Sequence, residues 1–420
     1  MDSVKIVVGA NYGDEGKGLV TDYLTRKAIE EGNHVLVVLH NGGPQRAHTV
    51  ETPNGFRHVF KHVGAGTLAG ADTLITDNFL VNPMELRREI EALDTVCKFP
   101  FRIWISSGCI MTTHLDMMAN QIREEIRGEN RFGSCGMGIW ETLLRKKFVE
   151  SLYMRSTADE LLETFNSIRK YYYNIRMEDL TIPEKWKPLF DSTEMDLRYT
   201  EDLLWCLNNP HIVPAWNTKG YIPSNDVSGS YSFERWLLNH YETIIFEGGQ
   251  GMAIDGKLEK NYNHNTPSNT DSSNPIEILK MFNYHEKLFH GNKEWHEPEI
   301  ETCYVSRTYL TRHGAGGFPG ECSWEDLNPK ISIFDKTNVE NQFQGKLRYA
   351  PLNLNDLQKR ITTDLRRYER NKVNTSSRIF FTHQDEIPLQ SILSSGKIDW
   401  VNKIDLSLSP TRAEVHDIRE

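Results

Sequence analysis

Residues 9–18 read Gly9-Ala10-Asn11-Tyr12-Gly13-Asp14-Glu15-Gly16-Lys17-Gly18 and follow directly on an apolar run that ends at Val8. We call this segment loop 1. A helical pattern covers residues 19–29, so the sequence predicts a strand that opens through glycines into a helix. Glycine lets backbone N–H groups approach an anion closely, and the start of a helix is electrically positive. Loop 1 therefore predicts an anion-binding turn.

Loop 1 also carries two carboxylates, which a passive phosphate cradle would not use because they repel phosphate. Asp14 is therefore a candidate metal ligand or proton acceptor beside a phosphate. The loop departs from the Walker pattern twice, since Asn11 stands at its first glycine and Gly18 replaces its Ser or Thr. It does not match the dinucleotide-binding fingerprint either. Glycine-rich turns of this kind also occur without such a role, and that alternative stays open.

The composition limits the class of protein. The chain has 420 residues and a formal net charge of −10, which disfavours a nucleic-acid partner. No apolar run approaches the ~20 residues needed to span a bilayer, so we expect no membrane partner and a cytoplasmic location. The six cysteines form no CxxC pair and predict reduced thiols. Cys135 lies in a glycine-rich stretch and is a less favoured candidate for a catalytic thiol.

Strand and helix patterns alternate along the chain. This alternation predicts an α/β fold with a large, mostly parallel central sheet and helices on both faces. Residues 1–420 are expected to form a single domain with smaller subdomains and a helical excursion at about 157–240. The polar stretch 261–275 is long and has no strand or helix pattern. In a compact domain such a loop is more often functional than not. The predicted strands are 34–40, 74–80, 102–106, 243–247 and 379–382, and the predicted helices after the first are 82–93 and 114–127.

Four further loops are rich in glycine or polar residues. Loop 2 (residues 41–49) reads NGGPQRAHT, and loop 3 (residues 246–251) reads FEGGQG. Loop 4 (residues 309–321) reads YLTRHGAGGFPGE, and loop 5 (residues 341–349) reads NQFQGKLRY. Loops 2 and 3 each follow an apolar strand pattern, as loop 1 does.

Together the five loops resemble those of the adenylosuccinate synthetase family, whose signatures have the forms GDEGKG, GGxxAGHT, FEGxQG and TRVGxGPFP. The family also has an aspartate-binding loop rich in threonine and arginine. The resemblance implies a ligase reaction. A nucleoside triphosphate phosphorylates the 6-oxygen of a purine nucleoside monophosphate, and L-aspartate then displaces that phosphate. It further implies Mg²⁺ as the cofactor and a homodimer in which an arginine, here near Arg145, reaches the other subunit.

The resemblance also implies roles for individual residues. Asp14 matches the base that deprotonates purine N1, and His48 matches the group that stabilises the transferred phosphoryl group. Gln250 matches the glutamine that bonds the purine and its 6-oxygen. Asp14 and the backbone carbonyl of Ala47 would hold Mg²⁺.

Three groups of contacts follow from the same resemblance. The expected phosphate and triphosphate contacts are Gly13, Glu15, Gly16, Lys17, Gly18, Thr49, Asp385, Ser409 and Pro410. The expected contacts of the purine monophosphate are Asn41, Gln45, Ser134, Cys135, Gln250 and Asp271. The expected contacts of aspartate are Arg312, Gly345, Lys346 and Arg348. The segment 382–385 aligns with one that reads guanine in the triphosphate. His383 replaces its lysine, and both ATP and GTP stay open as donors.

The departures from the family pattern concern the substrate. Gln45-Arg46-Ala47-His48 replaces Asn-Ala-Gly-His, Ser134-Cys135 replaces a threonine pair, and His313 replaces the valine of loop 4. Loop 5 resembles the archaeal and bacteriophage branch, whose phage members convert a guanine nucleotide to the 2-amino analogue of adenylosuccinate for diaminopurine DNA. We therefore favour GMP or dGMP as the substrate. The alternative is IMP, as in AMP biosynthesis. Asp14 supports this alternative, because family members that use IMP retain the same aspartate.

A nucleotide-binding regulator without catalytic activity is a less favoured alternative. Loss of catalysis would be expected first at Asp14, His48 or Gln250, and all three are present. A generic amide ligase has no motif in support.

Overall fold

The computed structural model describes residues 1–174, 181–215, 237–257, 264–290, 297–328, 344–393 and 397–417. Residues 341–343 of loop 5 and residues 261–263 of the polar stretch lie outside these ranges, as do 175–180 and 216–236 of the predicted excursion. Within them, no helix has the length and apolar character needed to cross a bilayer.

A ten-stranded sheet forms the centre of the structure, in the order β14-β13-β12-β9-β1-β8-β2-β5-β6-β7. All its neighbouring strands are parallel except β14, which is antiparallel to β13. Two small antiparallel pairs, β3–β4 and β10–β11, lie outside it. The strands are β1 (Ser3–Gly9), β2 (Val35–Leu39), β3 (His48–Glu51), β4 (Arg57–Phe60), β5 (Asp72–Ile75), β6 (Ile103–Ile105), β7 (Ile212–Pro214), β8 (Thr243–Gly251), β9 (Glu299–Arg307), β10 (Tyr309–Arg312), β11 (Arg348–Pro351), β12 (Ser376–Thr382), β13 (Lys403–Ser407) and β14 (Val415–Asp417).

Helices cover both faces of this sheet, which confirms the predicted fold class. Successive side chains of β1 enter opposite cores, since Val7 belongs to one apolar cluster and Ile6 and Val8 to the other. The helices are α1 (Lys17–Glu30), α2 (Pro83–Asp94), α3 (His114–Arg127), α4 (Ile139–Arg145), α5 (Ala158–Asn174), α6 (Lys187–Phe190), α7 (Thr193–Asn208), α8 (Ser273–His290), α9 (Trp324–Leu327) and α10 (Leu354–Asn371). Helix α1 packs into the first cluster, and α8 and α10 pack into the second.

Local capping explains why α2 and α3 begin close to their predicted starts. The Asn82 side chain accepts the N–H groups of Met84 and Glu85. Thr113 and Asp116 form a reciprocal capping box at the start of α3.

Two predicted elements differ in extent. The strand expected over residues 74–80 ends at Ile75, because the chain turns there and the Phe79 N–H bonds the Thr76 carbonyl. Helices α5, α6 and α7 make up most of the described part of the stretch from 158 to 208. Strand β7 then rejoins the main sheet beside β6, inside the range predicted for the helical excursion.

The sheet order places four of the five glycine- and polar-rich loops at one edge. Strands β9, β1, β8 and β2 are consecutive neighbours, and loops 4, 1, 3 and 2 lie at their carboxyl ends. Parallel strands bring their carboxyl ends to the same side, where α/β proteins bind ligands.

Candidate functional site

A cavity of about 1090 Å³ lies at this edge and is lined by loops 1 to 4, by residues 132–135 and by the segments 382–386 and 409–410. Most of the residues singled out from the sequence line it. They are Gly13, Asp14, Glu15, Gly16, Lys17, Gly18, Gln45, Ala47, His48, Thr49, Ser134, Cys135, Gln250, Asp385, Ser409 and Pro410. Residues 264–267 of the polar stretch line it as well.

Loop 1 is held by an internal ion pair. Lys17 Nζ lies 3.2 Å from Glu15 Oε2, and both side chains are buried. The other Glu15 oxygen accepts the Asn11 N–H. This arrangement requires Gly9, because a Cβ there would lie 2.2 Å from Glu15 Oε2. The Glu15 carboxylate therefore balances the charge of Lys17 and stabilises the loop by linking Lys17 to the Asn11 backbone.

Asp14 presents a partly exposed carboxylate to the cavity. Its backbone has a positive φ of 57°, which few non-glycine residues adopt. The Arg307 side chain donates Nε–H to the Asp14 carbonyl, and the Thr311 hydroxyl donates to the Gly13 carbonyl over 3.1 Å. His313 Nε2 lies 3.5 Å from Asp14 Oδ2.

His48 belongs to a buried charged cluster behind loop 2. Its Nδ1 lies 2.6 Å from Glu247 Oε1, while Arg46 Nη2 lies 3.0 Å from Glu247 Oε2. Burial and the Arg46 charge lower the pKa of His48 to about 4. Burial alone would raise the pKa of Glu247, but Arg46 and His48 outweigh it and lower it to about 2. His48 Nε2 has no partner in the described structure and lies in a residue that lines the cavity.

Glu124 organises the rim formed by residues 132–135. Its Oε2 accepts the Gly133 N–H over 2.7 Å, and its Oε1 accepts from Arg127 over 2.6 Å. The Arg127 guanidinium lies 3.7 Å from the Phe132 ring centroid. Burial raises the pKa of the Cys135 thiol to about 11, so this cysteine is a thiol rather than a reactive thiolate at neutral pH.

The C-terminal part of the chain closes the side of the cavity next to loop 1. The Thr382 hydroxyl donates to the Glu15 carbonyl over 2.8 Å, and His383 Nδ1 lies 2.8 Å from the same hydroxyl. Burial lowers the pKa of His383 well below its ordinary value. Asp385 is exposed at the cavity lining.

Two residues predicted to contact the purine monophosphate have structural partners instead. Asn41 donates to the Asn269 carbonyl over 2.6 Å and accepts the Gly249 N–H over 2.7 Å, so it joins loops 2 and 3. Asp271 Oδ2 lies 2.7 Å from Arg367 Nη2, and its other oxygen accepts the Ser273 N–H at the start of α8. Neither is among the residues that line the cavity, and their contact with the purine monophosphate stays a prediction.

The residues predicted to contact aspartate also lie outside the cavity lining. Arg312 donates to the carbonyls of Gly317, His264 and Ala315 and supports the turn of loop 4. Arg348 donates to both oxygens of Glu321 and to two loop 4 carbonyls, so an internal carboxylate already fills its bidentate face. The remaining two members of this group are Gly345 and Lys346.

Arg145 has partners within its own chain. It is fully buried and donates to both Asp116 oxygens, over 2.8 and 3.0 Å. The contact of an arginine near Arg145 with another subunit stays a prediction.

Several cavity residues were not identified from the sequence. They are Arg57, Asn120, Arg123, Arg127, Arg307 and Glu386. Arg123 and Arg127 lie one turn apart on one face of α3. This spacing is visible in the sequence and could have identified the pair. Arg307 ends β9, a strand that was not predicted.

The donor set fits a magnesium ion bound together with phosphate. Among the described residues, no three His, Cys, Asp or Glu side chains cluster as a protein cage for a metal. Mg²⁺ seldom uses such cages, because it keeps several waters and takes one or two carboxylates plus phosphate oxygens. The Asp14 side chain is 25% exposed, and both Asp14 and Ala47 line the cavity beside the glycines of loop 1.

Comparison with known proteins identifies relatives of this chain. The family profile of adenylosuccinate synthetase matches residues 6–338. Adenylosuccinate synthetase of Acaryochloris marina is 28% identical over 323 residues, which make up 75% of this chain and 62% of that protein. The enzyme of Microcystis aeruginosa is 28% identical over 327 residues, or 76% of this chain and 63% of that protein. The chain thus spans less than two thirds of these curated relatives.

Two solved structures share the fold. Fully ligated adenylosuccinate synthetase from Plasmodium falciparum superposes with a TM-score of 0.61 at 17% identity, over 99% of both chains. Cyanophage S-2L succinoaminodeoxyadenylate synthetase, bound to dGMP and to dATP as an energy donor, gives a TM-score of 0.53 at 13% identity, over 99% of this chain and 95% of that one. At these identities the likeness establishes the fold.

Proposed function

Because this chain belongs to the adenylosuccinate synthetase family, we propose that it joins L-aspartate to C6 of a purine nucleoside 5′-monophosphate. Hydrolysis of a nucleoside triphosphate drives the reaction through a 6-phosphoryl intermediate. The observation that carries the proposal is the cavity itself. It brings the glycines of loop 1, the Asp14 carboxylate, His48 and Gln250 to one carboxyl edge of the sheet.

Asp14 acts as the base in this proposal. Its carboxylate accepts the proton from purine N1, and the electron pair left behind makes the 6-oxygen nucleophilic. The partial exposure of the side chain supports this role, because the carboxylate faces the cavity rather than a buried cation. Gln250, at the end of β8, holds the purine and its 6-oxygen against the base.

His48 and Lys17 act on the transferred phosphoryl group. Glu247 fixes the His48 ring through Nδ1, and Nε2 donates to the phosphate when the bound phosphate charge favours the doubly protonated ring. Lys17 and the backbone N–H groups of Gly16 and Gly18 bind phosphate oxygens at the start of α1. Such preorganised groups stabilise charge as it develops in phosphoryl transfer.

Magnesium would be held by the Asp14 carboxylate and the Ala47 carbonyl, together with phosphate oxygens. When bound, it neutralises phosphate charge.

We favour GMP or dGMP as the monophosphate. Gln45, Ser134 and Cys135, which depart from the family pattern, all line the cavity. Asp14 is a cavity carboxylate that can accept a hydrogen bond from the 2-amino group of guanine. The shared fold with a cyanophage synthetase that was solved with dGMP is in accord with this choice. Arg46 and Asp271 do not contribute to the argument, since both lie behind the cavity lining.

IMP is the second candidate. One observation favours it: the loop 1 aspartate is retained, as in family members that use IMP, and Asp14 faces the cavity. We further propose that ATP or GTP is the donor, because His383 replaces the lysine of the guanine-reading segment while Asp385 is kept. We expect a homodimer, as is usual in the family.

A single assay set tests the proposal. Purified protein is incubated with L-aspartate, Mg²⁺, either ATP or GTP, and one of IMP, GMP or dGMP, and products are identified by mass. We expect a succino-adduct of GMP or dGMP to form with roughly ten- to a hundredfold higher kcat/KM than the IMP adduct. A higher kcat/KM with IMP would assign the protein to AMP synthesis, and no adduct from any purine would refute the proposed function.

A further inference from the structure

The segment from Arg307 to His313 holds the Gly13-Asp14 dipeptide at three points. Two of them fix the backbone, since Arg307 and Thr311 donate to the carbonyls of Asp14 and Gly13. The third is His313, whose Nε2 lies 3.5 Å from Asp14 Oδ2. Only this third contact involves the carboxylate.

Among the residues that the structure describes, His313 is the only cationic or potentially cationic group within ion-pair distance of the Asp14 carboxylate. The carboxylate is 25% exposed to the cavity, so its surroundings are open. A carboxylate in such surroundings exchanges among rotamers unless a partner selects one. The His313 ring is 17% exposed and lines the same cavity, so it is placed to make that selection.

We propose that His313 is a positioning residue that orients the Asp14 carboxylate by donating an N–H from Nε2. The inference rests on the proposed function, in which Asp14 accepts the proton from purine N1. The valine of the related loop 4 motif has no side-chain N–H, so it could not make this contact. A catalytic contact of 3.5 Å without ligand is expected to shorten when substrate fills the cavity.

Two substitutions separate this role from packing. His313→Val removes the donor, whereas His313→Gln keeps an amide N–H at similar reach. With saturating substrates, we expect H313V to lower kcat about tenfold or more, while the KM values change less than about threefold. H313Q should recover most of the lost kcat. A wild-type kcat in H313V, a loss confined to KM, or an H313Q enzyme no faster than H313V would overturn the proposal.

A spectroscopic measurement tests the contact without turnover. In ¹⁵N-labelled protein, the His313 ring signals are identified by their loss in H313Q. We expect the ring to carry its proton on Nε2, and Asp14→Asn to shift that resonance while the His34 signals stay in place. An unchanged His313 resonance in D14N would overturn the proposal. If the wild-type protein forms no adduct from any purine, the proposed function fails, and this spectrum still decides whether His313 contacts Asp14.

Discussion

At the scale of single residues, some side chains line the cavity and others hold those side chains in position. Glu247 shows the second kind. Its two oxygens are shared between His48 and Arg46, which lie 199 and 201 residues away along the chain. An isolated buried carboxylate is strongly disfavoured. Arg46 and His48 therefore keep Glu247 ionised, and Glu247 in turn holds both side chains in place.

The first prediction concerns Asp14. Asp14→Asn keeps the size of the side chain and removes the proton acceptor. We expect the dissociation constants of the nucleotides to stay nearly unchanged while kcat at saturating Mg²⁺ falls about 10²–10⁴-fold. Isothermal titration and steady-state rates measure the two effects. More than about a tenth of the wild-type rate would contradict the assignment of Asp14 as base.

The second prediction separates stability from positioning at Glu247. Glu247→Gln leaves Arg46 buried without its carboxylate, which should lower the free energy of unfolding by about 3–5 kcal/mol and reduce kcat. Adding Arg46→Met removes the stranded charge. The double variant should regain most of the stability, measured by urea titration, but not the kcat. Recovery of both would mean that Glu247 serves folding alone.

At the scale of elements, the sequence predicts what local pattern and capping determine. Helices α2 and α3 begin within a residue of their predicted starts because Asn82 and Thr113 cap them. Strand β9 was missed, although it lies beside β1. Site residues follow the same rule. The glycines of loop 1 predicted its place at the cavity, whereas local pattern could not predict the contacts of Asn41, Asp271, Arg312 and Arg348 with residues of other segments.

The third prediction tests the contact between α1 and β3. A Cβ on Gly18 would lie 2.7 Å from the Thr49 carbonyl oxygen. Gly18→Ala should therefore push α1 away from β3, weaken triphosphate binding, and cost about 1–3 kcal/mol of stability.

Gly55→Ala is the matched control for that variant. Gly55 has a φ of +77° in the β3–β4 turn, and a Cβ added there would meet no atom within 4 Å, so alanine costs backbone strain alone. We expect G55A to lose stability with unchanged nucleotide affinity. Equal affinities in G18A and the wild type would show that the α1–β3 contact does not shape the phosphate site.

At the scale of the whole molecule, the cavity draws on strands on both sides of β1. The family profile ends at residue 338, yet β12 and β13 extend the sheet from β9. Segments 382–386 and 409–410, both beyond that point, line the cavity. The part of the chain with the weaker sequence likeness is thus as necessary for the cavity as loop 1.

The fourth prediction follows from a histidine buried at the centre of this sheet. His40 directly follows β2, is fully buried, and has no partner for either ring nitrogen in the described structure. Burial lowers the pKa of His40 from 6.5 to about 3. The unfolded chain therefore binds a proton as the pH falls below about 6.5, whereas the folded chain does not until about 3. The stabilisation is complete above this window and is lost as the pH falls through it.

Between pH 6 and 5, each such histidine should lower the free energy of unfolding by up to ~1.4 kcal/mol per pH unit, and His48 adds a second proton. Urea titrations at several pH values measure the slope. His40→Leu should reduce it by about one proton, whatever its effect on absolute stability. Equal slopes in H40L and the wild type would mean that His40 is protonated in the folded protein, and that the centre of the sheet is more polar than its packing indicates.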